Sequence, residues 1–236
     1  MKIKPVIYGF LLLCLMQFSS CASQINGVLR QGGSANLAME AALEPQMTIF
    51  ISRFKTVMGN AGSGLILDGQ AIGLSLADSA GVSSVSIENT RPAAIKGDIA
   101  VSNIEDFLSL TRDRRFITYS ENTAGGSIHI YLDRETAPEL MAMLSPEAVE
   151  YLSALMAPAV TGEDDSKEEY LALVSSLYGR PIADEISASM IRAQIEFPGA
   201  VSSIRGGTAN GNLAVFTVPL LDLLVLETPV SLEAGW

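Results

Sequence analysis

The feature that most constrains this chain is its first 21 residues, because they decide which residues are left to fold. Met1-Lys2-Ile3-Lys4 carries two positive charges and no acid, and Val6 to Phe18 then runs without a charge. Spanning a bilayer takes roughly 20 apolar residues, so this run is too short to cross one and instead has the length and flanks of an export-signal core. Phe18-Ser19-Ser20-Cys21 follows, with small residues directly before a cysteine. It resembles a lipobox, where bacteria acylate a cysteine and cleave before it, although Phe18 stands where Leu is usual. Two other readings stay open: ordinary signal cleavage leaving a plain thiol, and an uncleaved anchor. Cysteine usage favours acylation. Of the two cysteines, Cys14 leaves with the signal, so Cys21 remains alone at the first mature position and no internal disulfide can form.

Removing residues 1–20 from 236 leaves 216, enough for one large domain or two small ones. Losing Lys2 and Lys4 takes the net charge from −11 to −13. Such a domain is a poor partner for nucleic acid, whose phosphates demand Lys and Arg, and is not drawn to anionic head groups. Membrane association must then come from a lipid tether, and stable anchoring takes more than one acyl chain. Charged residues make up 17% and hydrophobic ones 48%, which excludes a disordered chain. The longest later apolar stretch, Leu213 to Leu226, is too short to span and is broken by Pro219 and Asp222.

Two segments of the mature chain read alike. Gly32-Gly33-Ser34 opens the alternating Ala35 to Met39, and Gly125-Gly126-Ser127 opens Ile128 to Leu132; each follows a strand-like run, Ile25 to Arg30 and Phe116 to Ser120. Both read as β-hairpins with Gly-Gly turns. Gly81 to Val85 resembles Gly199 to Ile204, and Gly97 to Val101 resembles Gly211 to Val215. Each set leads into a short apolar helix, Ile104 to Leu108 and Pro219 to Leu224. Chance likeness of short glycine-containing strings is the competing account.

Helices are expected between the hairpins. Leu43, Met47, Phe50, Ile51, Phe54, Val57 and Met58 recur at helical spacing. Thr136-x-x-Glu139 and Ser166-x-x-Glu169 have the form of capping boxes, and Pro146 suits a first helical position. The helix after Ser166 carries Tyr170, Val174, Leu177 and Tyr178 and is expected to end at Gly179 and Pro181. The expected fold is α+β: two similar ββ–helix–ββ–helix halves, 21–112 and 113–236, the second with a helical insertion around 158–182. The sheet is expected to be antiparallel, with the helices packed on one face.

With Cys21, the hairpin, the amphipathic helix, the Gly-Val strand and the strand closing on an acidic-apolar helix in view, the stretch from Cys21 to Leu110 resembles LppM-type bacterial lipoproteins. The resemblance implies an α+β domain holding a lipid or glycolipid in an apolar cavity. Many members carry a C-terminal membrane helix, which this sequence lacks.

The sequence offers little catalytic chemistry. The single histidine, His129, alternates with Ile128, Ile130 and Leu132, so it is expected to face away from the core. No G-x-S-x-G elbow accompanies it, Gly62-Ser63-Gly64 being a plain loop. Zinc sites need several His or Cys ligands. Glu163-Asp164-Asp165 lacks the calcium-loop pattern and reads as a solvated loop. Neither Gly62-Ser63-Gly64 nor Gly206-Gly207-Thr208 is followed by the Lys of a phosphate loop. Paired carboxylates are not identifiable among 26 acidic residues. The expectation is a protein with no catalytic residues, metal or cofactor.

Two functions compete, ahead of a third, an enzyme of an unrecognised acid–base type. The first is a lipid-anchored domain binding a lipid or other apolar ligand, with Cys21 as the lipidation site and Phe50, Phe54 and Met58 lining a groove shared with the helix Pro146 to Met156. Methionines at 47, 58, 141, 143, 156 and 190 suit an adaptable surface, or simply fill the core. The second is an assembly lipoprotein that binds another envelope protein through a sheet edge or acidic face. Ala22-Ser23 lacks the Asp that commonly retains lipoproteins in an inner membrane, which favours the outer one.

Overall fold

A computed structural model describes residues 21–57, 65–109, 116–141 and 146–236. The signal segment and lipobox therefore lie outside the described residues, apart from Cys21, and so does Met58.

The chain runs β1 (Cys21–Leu29), β2 (Ala35–Ala42), α1 (Pro45–Val57), α2 (Gly69–Ala77), β3 (Val82–Arg91), β4 (Ala94–Val101), α3 (Ile104–Ser109), β5 (Ile117–Asn122) and β6 (Gly125–Leu132). It continues through α4 (Ala137–Met141), α5 (Pro146–Ala154), α6 (Pro158–Thr161), α7 (Lys167–Tyr178), α8 (Arg180–Ala188), β7 (Met190–Glu196), β8 (Ser203–Arg205), β9 (Gly207–Asn210), β10 (Leu213–Pro219), α9 (Leu220–Val225) and β11 (Val230–Gly235). This is an α+β fold, as composition and periodicity indicate.

Seven strands form one sheet in the order β3-β4-β2-β1-β7-β10-β9, and four form a second in the order β5-β6-β11-β8. The sheets stack. Leu29, Ala35, Ile99, Val101, Ala214 and Phe216 of the larger pack against Ala234 and the half-buried Ile128, Leu232 and Trp236 of the smaller. Alternation along each strand supplies this face, since successive side chains point to opposite sides. A second core is helical, built from Met47, Ile51, Tyr170, Val174, Ile182, Ile186, Leu221 and Val225. A third, smaller cluster of Phe116, Leu132, Ala137, Ala159 and Leu226 joins the helices to the four-stranded sheet.

Three sequence expectations need correction. First, the sheets are not wholly antiparallel: β1 pairs with β7 in parallel, from Cys21 beside Met190 to Val28 beside Glu196. A parallel neighbour needs a long crossover, which the 160 residues between Leu29 and Met190 provide. Second, most helices do not lie across a sheet face. α1 follows the end of β2, α8 precedes the start of β7, and α9 follows the end of β10, so they gather at one end of the strands around their own core. α2 is the exception, lying on β3 with Gly69 and Gly73 close to Ile87.

Third, the two segments are not assembled to one plan. The hairpin β1–β2 belongs to the seven-stranded sheet and β5–β6 to the four-stranded one. β3 and β4 pair with each other, whereas their proposed counterparts around β8 and β10 lie in different sheets. Gly33 sits beside Ile104, while a Cβ on Gly126 would collide with the Trp236 indole. The shared strings do not take the same place either: Gly32-Gly33 lie in the β1–β2 turn, whereas Gly125-Gly126 open β6 and the β5–β6 turn is Thr123-Ala124. Strands from both sides of residue 112 share the larger sheet.

Candidate functional site

α1 begins where local chemistry predicts. Pro45 occupies its first position, where a missing N–H costs nothing. The next amides are satisfied from elsewhere in the chain: Gln46 N donates to both Glu185 oxygens (2.9 and 3.0 Å) and Met47 N to Oε2 (2.9 Å). The α8 carboxylate thus caps α1 and places a negative charge at its positive end. α7 starts with the expected capping box, Glu169 N donating to Ser166 Oγ (3.2 Å) and Ser166 N to Glu169 Oε2 (2.9 Å). Those bonds hold the Glu169 carboxyl below its ordinary pKa. Gly179, at φ +95°, turns the chain from α7 directly into α8. α7 ends at Tyr178 before Gly179, as expected, and Pro181 sits in the first turn of the next helix, α8, where its missing N–H is tolerated.

This frame leaves an apolar cleft of about 420 Å3 between α1 and the α7–α8 corner. Its walls are Ile49, Phe50, Phe54 and Val57 on one side and Leu177, Tyr178 and Ile182 on the other, with Gln46 and Arg53 as polar edges. Phe50 meets Tyr178 edge to face at 4.8 Å and lies near-parallel to Phe54 at 6.4 Å. Tyr178 is held in place by its hydroxyl, which donates to the Ala154 carbonyl. α1 buries Met47 and Ile51 in the helical core, leaving Phe50 and Phe54 half-buried in the cleft. Ile49 is 44% exposed and Leu177 52%.

Of the residues singled out from sequence, Phe50 and Phe54 line this cleft, and Cys21 begins β1 at the helical end of the sheets. The opposing wall differs from the expected one. The helix at 146–156 supplies Tyr151, 5.9 Å from Phe54 and edge-on to it, but the wall itself comes from α7 and α8. The sequence signal for this was present in Leu177 and Tyr178 at the end of a capped helix; what it lacked was the direction of the turn at Gly179.

Other groups have structural employment. His129 faces outward, with Nε2 3.3 Å from Ser231 Oγ, in a cross-strand row with Thr118, Glu233 and Arg205. Asp164 pairs with Arg134, which also donates to the Asp165 carbonyl (2.7 Å), so the acidic loop is pinned to the helical end. Thr136 is not a helix cap; Asp133 caps that turn by accepting from the Glu135 and Thr136 amides (3.0 and 2.8 Å). Burial pulls the Asp133 carboxyl upward, but these bonds outweigh it and leave its pKa lowered. The Tyr170 hydroxyl is fully buried in the helical core with no partner among the described residues, and burial pushes its pKa up. Among the described residues no cluster of three His, Cys, Asp or Glu side chains is arranged to hold a metal. No described helix is long and apolar enough to cross a membrane.

A second hollow, of about 540 Å3, lies on the outer face of the larger sheet, lined by Asn26, Asn36, Asp98, Gln194, Glu196 and Leu213 among others.

No protein-family model matches the chain, and no curated protein matches its sequence. Among solved structures, the chain is similar to the folded domain of LppM from Mycobacterium tuberculosis, at 10% identity and a TM-score of 0.40, over 92% of this chain and 91% of that one.

Proposed function

We propose that this protein is a non-catalytic lipoprotein domain of the bacterial cell envelope, tethered by a lipid on Cys21, that takes an apolar ligand such as a lipid acyl chain into the α1/α7/α8 cleft. The observation that carries the reading is the cleft. Three aromatic rings and four aliphatic side chains converge there, and Ile49 and Leu177 remain about half exposed at its mouth. Its volume falls in the range of about 300–1,000 Å3 typical of small-molecule sites, and its lining is apolar with a few polar edges, as such sites are. The lipobox-like Phe18-Ser19-Ser20-Cys21 supports the tether, and Ala22-Ser23 favours retention at an outer membrane.

The test is binding of a fluorescent phospholipid or a polyene fatty acid to the full chain. Val57→Trp should block uptake while leaving the denaturant midpoint almost unchanged, since Val57 is 83% exposed. Saturable wild-type binding lost in Val57→Trp is the expected result. Absence of wild-type binding would overturn the ligand reading, whatever Cys21 carries. A second reading, assembly with another envelope protein, is favoured by the open hollow on the larger sheet, where Val28 and Leu213 are each 36% exposed. A native mass spectrum distinguishes the two by showing co-purified lipid or a protein partner.

A further inference from the structure

We infer that the apolar rim formed by Ile49 and Val57 of α1 and Leu177 of α7 is the surface that meets the membrane, so that the cleft opens onto the bilayer rather than into water. The inference rests on the reading that the chain is attached to a membrane at residue 21.

Three observations carry it. Large side chains exposed together rather than singly mark an interaction surface. Ile49, Val57 and Leu177, at 44, 83 and 52% exposure, share one cleft mouth with the rings of Phe50 and Phe54.

Position is the second. The backbone of Cys21 lies beside Met190, the first residue of β7. α8 ends two residues earlier, and its Ile182 lines the cleft. Six helical steps and two extended ones separate Ile182 from Met190, a path of about 16 Å at most. The charge-free run Val6 to Phe18 also joins the domain at this point. Whether a lipid on Cys21 or an uncleaved apolar segment holds the chain, the membrane is therefore reached from the end that carries the rim.

The third is charge. The chain is net negative, at −11, yet the rim carries Arg53. Arginine stems lie along apolar surface while their guanidinium groups reach phosphate oxygens, the arrangement expected at a lipid–water boundary. With the rim against the bilayer, an acyl chain passes from the lipid phase into the cleft without crossing water. A soluble apolar peptide on the same rim would leave the proximity to residue 21 without a purpose.

The experiment places tryptophan on the rim of the full-length protein, reconstituted in phosphatidylcholine vesicles with or without brominated acyl chains, which quench nearby indoles. The native Trp236 is a built-in reference, because it is hydrogen-bonded to Gly126 beside the β5–β6 turn, away from the helices. Gln31→Trp, in the turn at the other end of β1, is the second reference. Leu177→Trp should add emission that brominated lipid removes in large part, while emission from Trp236 and Gln31→Trp persists. Ile49→Trp repeats the reading from α1, should Leu177→Trp disturb α7. Rim emission quenched no more than that of Gln31→Trp overturns the inference, even where the protein stays on the vesicles through Cys21. Quenching that survives Cys21→Ser supports the membrane-facing rim while removing acylation as the means of attachment.

Discussion

Replacing Glu185 by alanine removes the acceptor for two backbone amides at the start of α1, through which α8 caps that helix. The bonds are short, at 2.9–3.0 Å, and join residues 138 and 139 apart in sequence. Hydrogen bonds to a charged group contribute about 1.5–3 kcal/mol when shielded. The site is only partly buried, so water replaces part of each, leaving about 1 kcal/mol per amide. Loss of a negative charge from a helix N-terminus adds about 0.5 kcal/mol. Glu185→Ala should therefore cost about 2–3 kcal/mol, or roughly 5–10 °C in Tm for a domain of this size. Glu185→Gln keeps one acceptor oxygen and should lose about half as much. The control is Asp184→Ala, whose exposed pairing with Arg180 at 3.6 Å should contribute less than about 0.5 kcal/mol. Urea unfolding followed by circular dichroism, read as a midpoint shift at constant m-value, measures all three. Lipid uptake should weaken with Glu185→Ala, because the two walls of the cleft are no longer joined at that end. A Glu185→Ala protein as stable as Asp184→Ala would refute the reasoning, since the cross-element cap would then contribute nothing.

Tyr170→Phe deletes a buried hydroxyl that has no partner among the described residues, so it should be neutral or stabilising by up to about 1–2 kcal/mol, where most core changes destabilise; a clear loss of stability by the same unfolding assay would indicate a partner such as a bound water. Alkaline pH should unfold the protein early. Burial, together with the Glu121 carboxylate that accepts from its hydroxyl at 2.9 Å, raises the Tyr119 pKa, and burial raises that of Tyr170. A phenol raised in the folded state contributes stability that is fully present below its unfolded pKa of about 10 and is lost as pH climbs above it. The denaturant midpoint should fall above about pH 10, and the double variant Tyr119→Phe/Tyr170→Phe should flatten that fall; an unchanged slope in the variant would exclude these phenols as its source.

What the sequence determined by itself was local. The Ser166–Glu169 capping box, the Gly32-Gly33 turn of the first hairpin, the helical stripe through Met47, Ile51, Phe50 and Phe54 and the outward-facing His129 all depend on groups within a few residues of one another, and such hydrogen bonds and side-chain spacings are written in the order of the residues. Even locally, two signals were misleading: Thr136 looked like a cap where Asp133 does that work, and Gly125-Gly126 looked like a turn where they open β6. The tertiary structure decided everything that joins distant segments. β1 takes β7 as a parallel neighbour, β11 sits between β6 and β8, Glu185 reaches back to α1, and Trp236 stacks on Phe197 at 4.6 Å. The cleft exists only because the turn at Gly179 brings Leu177, Tyr178 and Ile182 across from Phe50 and Phe54. An apolar stripe declares that a helix has a face to bury, but any complementary surface will satisfy it. Which surface does so is settled by the register and packing of the whole chain, and those leave no periodic mark on either segment alone.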